Sequence, residues 1–154
     1  MALEHDIAVL SRAPLFHLLD RDALRLVAFA AEGRSLRAGD VLFRRGDASD
    51  GGYVVGAGAI VLDAEDGATD PFVAGPGALI GQAALFADVD RPATAVAQEP
   101  SAVMRISPNV MRRVLEEFPT AAAAMEDVLA GELAELTEGL ERVRRTLAAI
   151  DGEA

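Results

Sequence analysis

Two neighbouring segments, LIGQAALF at residues 79–86 and RPATAVA at residues 91–97, are the most informative part of this sequence. Gly81 opens what we predict to be a short helix, and Arg91 enters an alternating, strand-like segment. The first N–H groups of a helix have no partner within it and attract phosphate. An arginine can bind the same anion with a fork of donors. The alternative is a surface arginine that pairs with the acidic turn before it.

Around this stretch, residues 34–106 consist of short apolar segments divided by Gly, Asp and Pro. The segments are residues 41–43, 53–55, 59–62, 72–74, 95–97 and 102–104. Many short strands with turn residues between them predict an antiparallel β-roll or jelly roll. The helix-like segment 82–86 interrupts this β region, which is typical of a functional loop.

Helical periodicity precedes the predicted β-roll. In residues 1–33, apolar side chains recur at spacings of three and four. Asp20 is the predicted N-cap of the second helix in this segment, and Gly33 is its predicted stop. The fold class that we predict is therefore mainly β with flanking helices.

Residues 107–150 predict two further helices, the first beginning at Ser107-Pro108 and the longer second one at Pro119. The second helix carries a regular apolar series that we call the seam: Leu133, Leu136, Leu140, Val143, Leu147 and Ile150. Steps of three and four that alternate in this way are typical of a helix that pairs with another helix, which predicts a homodimer. The alternative is that the seam packs on the chain's own β region.

Composition limits the class of protein. The chain has 154 residues, of which 51% are hydrophobic, so we expect one domain, residues 1–154. It has no cysteine, which excludes disulfides and thiolate sites and favours a cytoplasmic location. The N-terminus lacks the basic flank of a secretory signal, and no apolar run is long enough to span a bilayer. With a net charge of -11, we expect neither direct nucleic-acid binding nor membrane binding.

The sequence shows no pattern typical of catalysis or metal binding. Its two histidines, His5 and His17, precede the β region and are too few for a metal-binding jelly-roll enzyme. Asp40, Asp47 and Asp50 lack the spacing of a calcium loop, so we interpret them as solvated turn residues. No nucleophile stands with a base beside it. We expect a protein that is not an enzyme and that holds no metal.

The order of these elements resembles the cyclic nucleotide-binding domain, the sensor module of cAMP-receptor-type bacterial regulators, cAMP-dependent kinase regulatory subunits and nucleotide-gated channels. The motifs that carry the resemblance are Leu15-Phe16, GDVLFRRGD at 39–47, YVVGAG at 53–58, GQAALF at 81–86 and RPAT at 91–94. We call residues 81–86 the cassette. The family's transcription factors continue with a helix-turn-helix domain, for which this sequence has no room, so the resemblance implies a sensor without one.

In this family, backbone N–H groups of the cassette bind the cyclic phosphate of the nucleotide. The resemblance implies that role for Gly81, Ala83 and Ala84. An arginine just after the cassette pairs with the same phosphate, and Arg91 stands at that position. The resemblance therefore implies a purine cyclic mononucleotide, cAMP or cGMP, as the ligand.

At two cassette positions the chain departs from the family pattern. The family has a glutamate that accepts a hydrogen bond from the ribose 2′-hydroxyl, where this chain has Gln82, a neutral acceptor. In the family, the residue after the arginine donates its N–H to the phosphate. In this chain that residue is Pro92, which has no N–H to donate. On the long C-terminal helix, Thr137 is the polar residue that the resemblance implies for contact with the base.

The function that we expect is that of a non-enzymatic sensor, with cAMP as the expected ligand. The nucleotide would join the cassette to the long helix, and a shift of that helix in a homodimer would signal to a downstream protein. The alternative is a degenerate domain that has lost nucleotide binding through Gln82 and Pro92 and acts as a dimeric interaction module.

Overall fold

The computed structural model describes residues 2–152, with helices at both ends and strands between them. The order of elements is α1 (Ala2–Leu10), a 3₁₀ helix (Phe16–Leu18), α2 (Arg21–Ala30), β1 (Glu32–Leu36), β2 (Val41–Phe43), β3 (Gly52–Ala57), β4 (Ile60–Asp63), β5 (Phe72–Ala74), β6 (Leu79–Ile80), a second 3₁₀ helix (Gln82–Leu85), β7 (Thr94–Ala97), β8 (Ser101–Ile106), α3 (Pro108–Glu117) and α4 (Pro119–Gly152). The predicted fold class, mainly β with flanking helices, is confirmed.

The strands form two antiparallel sheets of four strands each within residues 2–152. One sheet has the order β1-β8-β3-β6 and the other β2-β7-β4-β5. Strand β3 is covered on both faces, because alternate side chains of a strand point to opposite sides of its sheet. Val54 packs in a core with the helices, whereas Tyr53 and Val55 pack in a second core between the sheets.

The N-terminal helices follow the predicted pattern except at their end. The Asp20 carboxylate accepts a hydrogen bond from the Ala23 N–H at 2.9 Å, which confirms the predicted N-cap. Helix α2 ends at Ala30, so the predicted stop at Gly33 is wrong. Gly33 instead lies in β1, opposite Met104 of β8, because the chain turns into the sheet directly after Ala31.

All six predicted apolar segments correspond to strands, namely β2, β3, β4, β5, β7 and β8. The prediction lacked β1 and β6. Strand β1, with the sequence EGRSL, has no apolar residue before Leu36 and is held by its pairing with β8. Strand β6 has only two residues, and it leads directly into the cassette.

At the C-terminal end, the Ser107 hydroxyl accepts a hydrogen bond from the Val110 N–H at 3.2 Å and caps α3, as predicted. Helix α4 begins at Pro119 and packs on the body of the protein through Ala121 and Met125, which are buried. The seam lies farther along α4, and its six side chains are 56–64% exposed. The alternative that the seam packs on the chain's own β region is therefore wrong.

Candidate functional site

Arg91 lies just before β7, and its backbone is fixed to the turn after β2. Its N–H donates to the Asp47 carbonyl at 2.8 Å, and its own carbonyl accepts from the Gly46 N–H at 2.8 Å. The side chain turns inward and is only 3% exposed. Its guanidinium carbon lies 4.3 Å from the centre of the Phe43 ring and 5.5 Å from that of Tyr53. Contact with aromatic faces stabilises a desolvated cation.

One half of the Arg91 guanidinium is paired. Its Nη2 donates to the Gly51 carbonyl at 2.8 Å and to the Asp50 carboxylate at 3.1 Å. The prediction's alternative, a surface arginine paired with Asp88 or Asp90, is therefore wrong. Interpreting Asp50 only as a solvated turn residue was also wrong, since half-exposed Asp50 is the carboxylate that fixes Arg91.

The other half of the Arg91 guanidinium is not paired. Within residues 2–152, its Nη1 is buried and has no hydrogen-bond partner. A buried polar group without a partner is unfavourable by about 1–3 kcal/mol, and more when it is charged. The Nη1 atom is therefore an unused donor beside a positive charge, which is the chemistry that binds an anion.

Gly81 makes room for this free donor. Its φ of 77° lies in the left-handed region, which side chains other than glycine rarely adopt. A Cβ atom on Gly81 would lie 2.7 Å from Arg91 Nη1. Both the backbone conformation and the close approach therefore require glycine at this position.

The cassette forms a short 3₁₀ helix directly after Gly81. The N–H of Ala84 donates to the Gly81 carbonyl at 3.0 Å. The N–H groups of Gln82 and Ala83 have no hydrogen-bond partner within the described part of the chain. The structure thus brings Gly81 and Arg91 together, while the Ala84 N–H is already used inside the cassette.

A cavity of about 100 Å³ lies against these groups. Its lining residues are Phe43, Leu62, Ile80, Gly81, Arg91, Pro92 and Ala93. Pockets that enclose a whole small-molecule ligand measure roughly 300–1,000 Å³, so this cavity can enclose only part of a nucleotide. Pro92 contributes an apolar ring to the lining and, as predicted from its chemistry, no N–H.

The two other predicted contacts lie toward α4. Gln82 Nε2 donates to Glu132 Oε2 of α4 at 3.0 Å. Thr137 is exposed on α4, and its hydroxyl donates to the Leu133 carbonyl at 2.9 Å. Thr137 does not line the cavity at Arg91. Gln82 does not line it either: its backbone follows Gly81, and its side chain joins the cassette to α4.

A charge network behind Arg91 was not predicted from the sequence. Arg105 donates from Nη1 to the Asp50 carbonyl at 2.7 Å and from Nη2 to the Glu32 carboxylate at 2.9 Å. The hydrogen bond from Arg105 holds the pKa of Glu32 below its usual value, and the same bond raises the pKa of Arg105. Arg34 joins the network, since its Nη1 donates to the Tyr53 hydroxyl at 3.1 Å.

Burial raises the pKa of the Tyr53 phenol, and the Asp50 carboxylate raises it further. The phenol thus stays neutral and can accept the hydrogen bond from Arg34.

Across residues 2–152, no group of three or more His, Cys, Asp or Glu side chains is arranged to hold a metal ion. No helix in this range is long and apolar enough to cross a membrane.

Comparison with known proteins gives this geometry a context. The family model of the cyclic nucleotide-binding domain matches residues 33–118. The chain is similar to a cyclic nucleotide-binding-like protein from Brucella abortus, with 41% identity and a TM-score of 0.63 over 72% of this chain and 97% of that one. It is also similar to the regulatory domain of Toxoplasma gondii PKA in a co-crystal with cAMP, with 25% identity and a TM-score of 0.65 over 73% of this chain and 44% of that one.

Among curated proteins, the chain is similar to a cAMP-dependent protein kinase regulatory subunit from Eremothecium gossypii. The two are 31% identical over 101 residues, which is 66% of this chain and 22% of the relative. The chain spans less than a third of the length of the curated relatives that it matches. On the family match, the chain belongs to the cyclic nucleotide-binding domain family.

Proposed function

We propose that this domain binds cAMP and acts as a non-enzymatic sensor. The observation that carries the proposal is the buried Nη1 of Arg91, which lies against Gly81 with no partner within residues 2–152. A phosphate at this point would accept a charge-assisted hydrogen bond from Arg91 and further bonds from the N–H groups of Gln82 and Ala83. The phosphate would thus satisfy donors that the folded chain leaves free.

These donors support an anion such as a phosphate, and the family match supports a phosphate that is attached to a sugar and a base. The nearby carboxylate of Asp50 is already paired with Arg91, so it orients the guanidinium rather than competing for Nη1. In the proposed complex, Gln82 accepts a hydrogen bond from the ribose 2′-hydroxyl through its amide oxygen. We choose cAMP because the similar proteins include a PKA regulatory domain crystallised with cAMP and a regulatory subunit named for it.

Two chemical features lower the affinity for cAMP that we expect, compared with a site that follows the family pattern. Gln82 accepts without a negative charge, and Pro92 donates nothing to the phosphate. Each lost interaction is worth about 1–3 kcal/mol of binding free energy, which weakens binding about tenfold to a hundredfold. We therefore propose a site of modest affinity, which responds to high nucleotide concentrations.

Transmission of the signal is the second part of the proposal. The cassette contacts α4 through Gln82, and the exposed seam lies on the part of α4 that follows. We propose that the seam pairs with that of a second copy in a homodimer, and that nucleotide binding shifts α4 within it. A downstream protein would recognise the shifted dimer.

Isothermal titration calorimetry tests the proposal. The wild-type chain is titrated with cAMP, cGMP and linear 5′-AMP, and the Arg91→Gln variant is titrated in parallel. We expect saturable heat with cAMP and a loss of affinity of at least about tenfold in Arg91→Gln, since a charge-assisted bond is lost. The matched control is Arg37→Gln, which removes the same charge from an exposed side chain.

The control variant should bind cAMP as the wild type does. The proposal would be contradicted if the wild type gave no binding heat with cAMP or cGMP at about 1 mM ligand. At that concentration even a weak complex forms, one with a binding free energy of about 4 kcal/mol. Equal affinities of wild type and Arg91→Gln would contradict the role of Arg91.

A further inference from the structure

A single side-chain hydrogen bond joins the cassette to the long C-terminal helix. Gln82 Nε2 donates to Glu132 Oε2 at 3.0 Å, although the two residues are 50 positions apart. Within residues 2–152, it is the only side-chain hydrogen bond between α4 and the rest of the chain. Glu132 stands just beyond Leu129, the last α4 residue that packs on the helical core.

The chemistry of the two groups fixes which way the Gln82 amide faces. An ionised carboxylate only accepts hydrogen bonds, whereas a carboxamide has a donor at Nε2 and an acceptor at Oε1. Glu132 can therefore be bonded only by Nε2. The opposite face of the amide carries Oε1, which accepts no hydrogen bond within the described residues.

We infer that Glu132 is a positioning residue that orients Gln82 so that Oε1 is available to accept a hydrogen bond from a ligand hydroxyl. This inference rests on the proposed function and adds a determinant of specificity to it. The oriented oxygen selects cyclic nucleotides that carry a ribose 2′-hydroxyl over their 2′-deoxy counterparts. Without Glu132, the amide can present either Oε1 or Nε2 to the ligand.

The same contact explains how glutamine at position 82 is compatible with its surroundings. A second carboxylate at this position would lie about as close to Glu132 as Gln82 does, and two like charges at that distance repel. The amide at position 82 and the carboxylate at position 132 thus form a matched donor and acceptor. A change at either position should be compensated by a change at the other.

Binding of cAMP and 2′-deoxy-cAMP to the full chain, measured by calorimetry, tests the inference. For the wild type we expect cAMP to bind about three- to tenfold more tightly than 2′-deoxy-cAMP, the effect of one hydrogen bond. Glu132→Gln should reduce this preference toward one by weakening cAMP alone. The matched control is Glu135→Gln, which removes the same charge from an exposed position of α4 and should keep the wild-type preference.

If Glu132 had a merely structural role, Glu132→Gln would weaken the binding of both nucleotides equally. That result, or an unchanged preference in Glu132→Gln, overturns the inference while leaving the proposed function intact. A wild-type chain that binds neither nucleotide overturns both.

A charge swap gives an independent readout. Gln82→Glu supplies a charged acceptor for the ribose hydroxyl but places it beside the Glu132 carboxylate, and the two like charges repel. The double variant Gln82→Glu with Glu132→Gln removes this repulsion, since the amide at position 132 can donate to the carboxylate at position 82, and should bind cAMP about tenfold more tightly than Gln82→Glu alone. Equal affinities of the single and double variants would overturn the inference.

Discussion

At the scale of single residues, Arg91 is the centre of the site. Aromatic rings cover its guanidinium, and Asp50 and the Gly51 carbonyl hold Nη2. These contacts hold the side chain in an orientation in which Nη1 lies against Gly81. An anion that binds there meets a donor that is already oriented and loses little side-chain entropy on binding.

The first prediction concerns Gly81. Replacement by alanine forces a side chain into the left-handed region, which is unfavourable by about 1–2 kcal/mol, and brings its Cβ within 2.7 Å of Arg91 Nη1. We expect Gly81→Ala to lower the free energy of unfolding by about this amount in urea titrations and to abolish nucleotide binding. Gly75→Ala is the control, because its Cβ meets no atom within 4 Å. A Gly81→Ala protein that binds as the wild type does would contradict the account.

The second prediction concerns Glu32 and pH. The hydrogen bond from Arg105 lowers the pKa of Glu32 from 4.5, so the folded state favours the ionised carboxylate. The stabilisation of the folded state by the ionised Glu32 carboxylate is complete above pH 4.5. It is lost as the pH falls through the lower pKa that Glu32 has in the folded state. We expect Glu32→Gln to have a lower Tm than the wild type at pH 7 and to approach it in acid. A Tm difference that stays constant down to pH 3 would contradict this assignment.

At the scale of secondary structure elements, the cassette connects two parts of the molecule. It follows β6, which pairs with β3, and it packs near α3 through the buried Leu85. Helix α4 itself has two parts. Its first turns pack on the core, whereas the turns from residue 130 onward are largely exposed and reach the cassette through Glu132.

The sequence predicts the elements that carry strong local patterns. The apolar segments, the caps at Asp20 and Ser107, and the cassette with Arg91 all follow from short-range spacing. Strand β1 is not predictable in this way, because its pairing with β8 and not its composition makes it a strand. The partners of the site, Asp50 for Arg91 and Glu132 for Gln82, lie 41 and 50 residues away, and no local pattern relates them.

The third prediction concerns Gly131 in α4. The residue lies inside a helix, and its added Cβ would meet nothing within 4 Å. Gly131→Ala should therefore stabilise the helix by up to about 1 kcal/mol and raise the circular dichroism signal at 222 nm. The reverse change, Ala134→Gly, should lower the same signal. Equal signals for both variants and the wild type would contradict a continuous helix at this point.

At the scale of the whole molecule, the seam is the largest exposed apolar feature of α4. Its six side chains repeat with the coiled-coil period along one side of the helix. Exposed apolar series of this kind are typical of an interface. The net charge of -11 favours a protein partner for this surface over nucleic acid.

The fourth prediction tests the homodimer. Leu140 is 63% exposed in the single chain, and in a symmetric dimer both copies would be buried together. Leu140→Glu should convert the dimer into monomers in sedimentation equilibrium, because two leucine side chains lose about 1.5–3 kcal/mol of burial each. Ala148→Glu adds the same charge on α4 away from the seam and should leave the dimer intact. A wild-type chain that sediments as a monomer would contradict the proposed dimer.

The most direct test of the account is a crystal structure of the chain grown with cAMP. In that structure we predict a phosphate oxygen within about 3 Å of Arg91 Nη1, the distance of a charge-assisted hydrogen bond. The N–H groups of Gln82 and Ala83 should face the same phosphate. A nucleotide bound elsewhere, with Arg91 Nη1 still free beside Gly81, would contradict it.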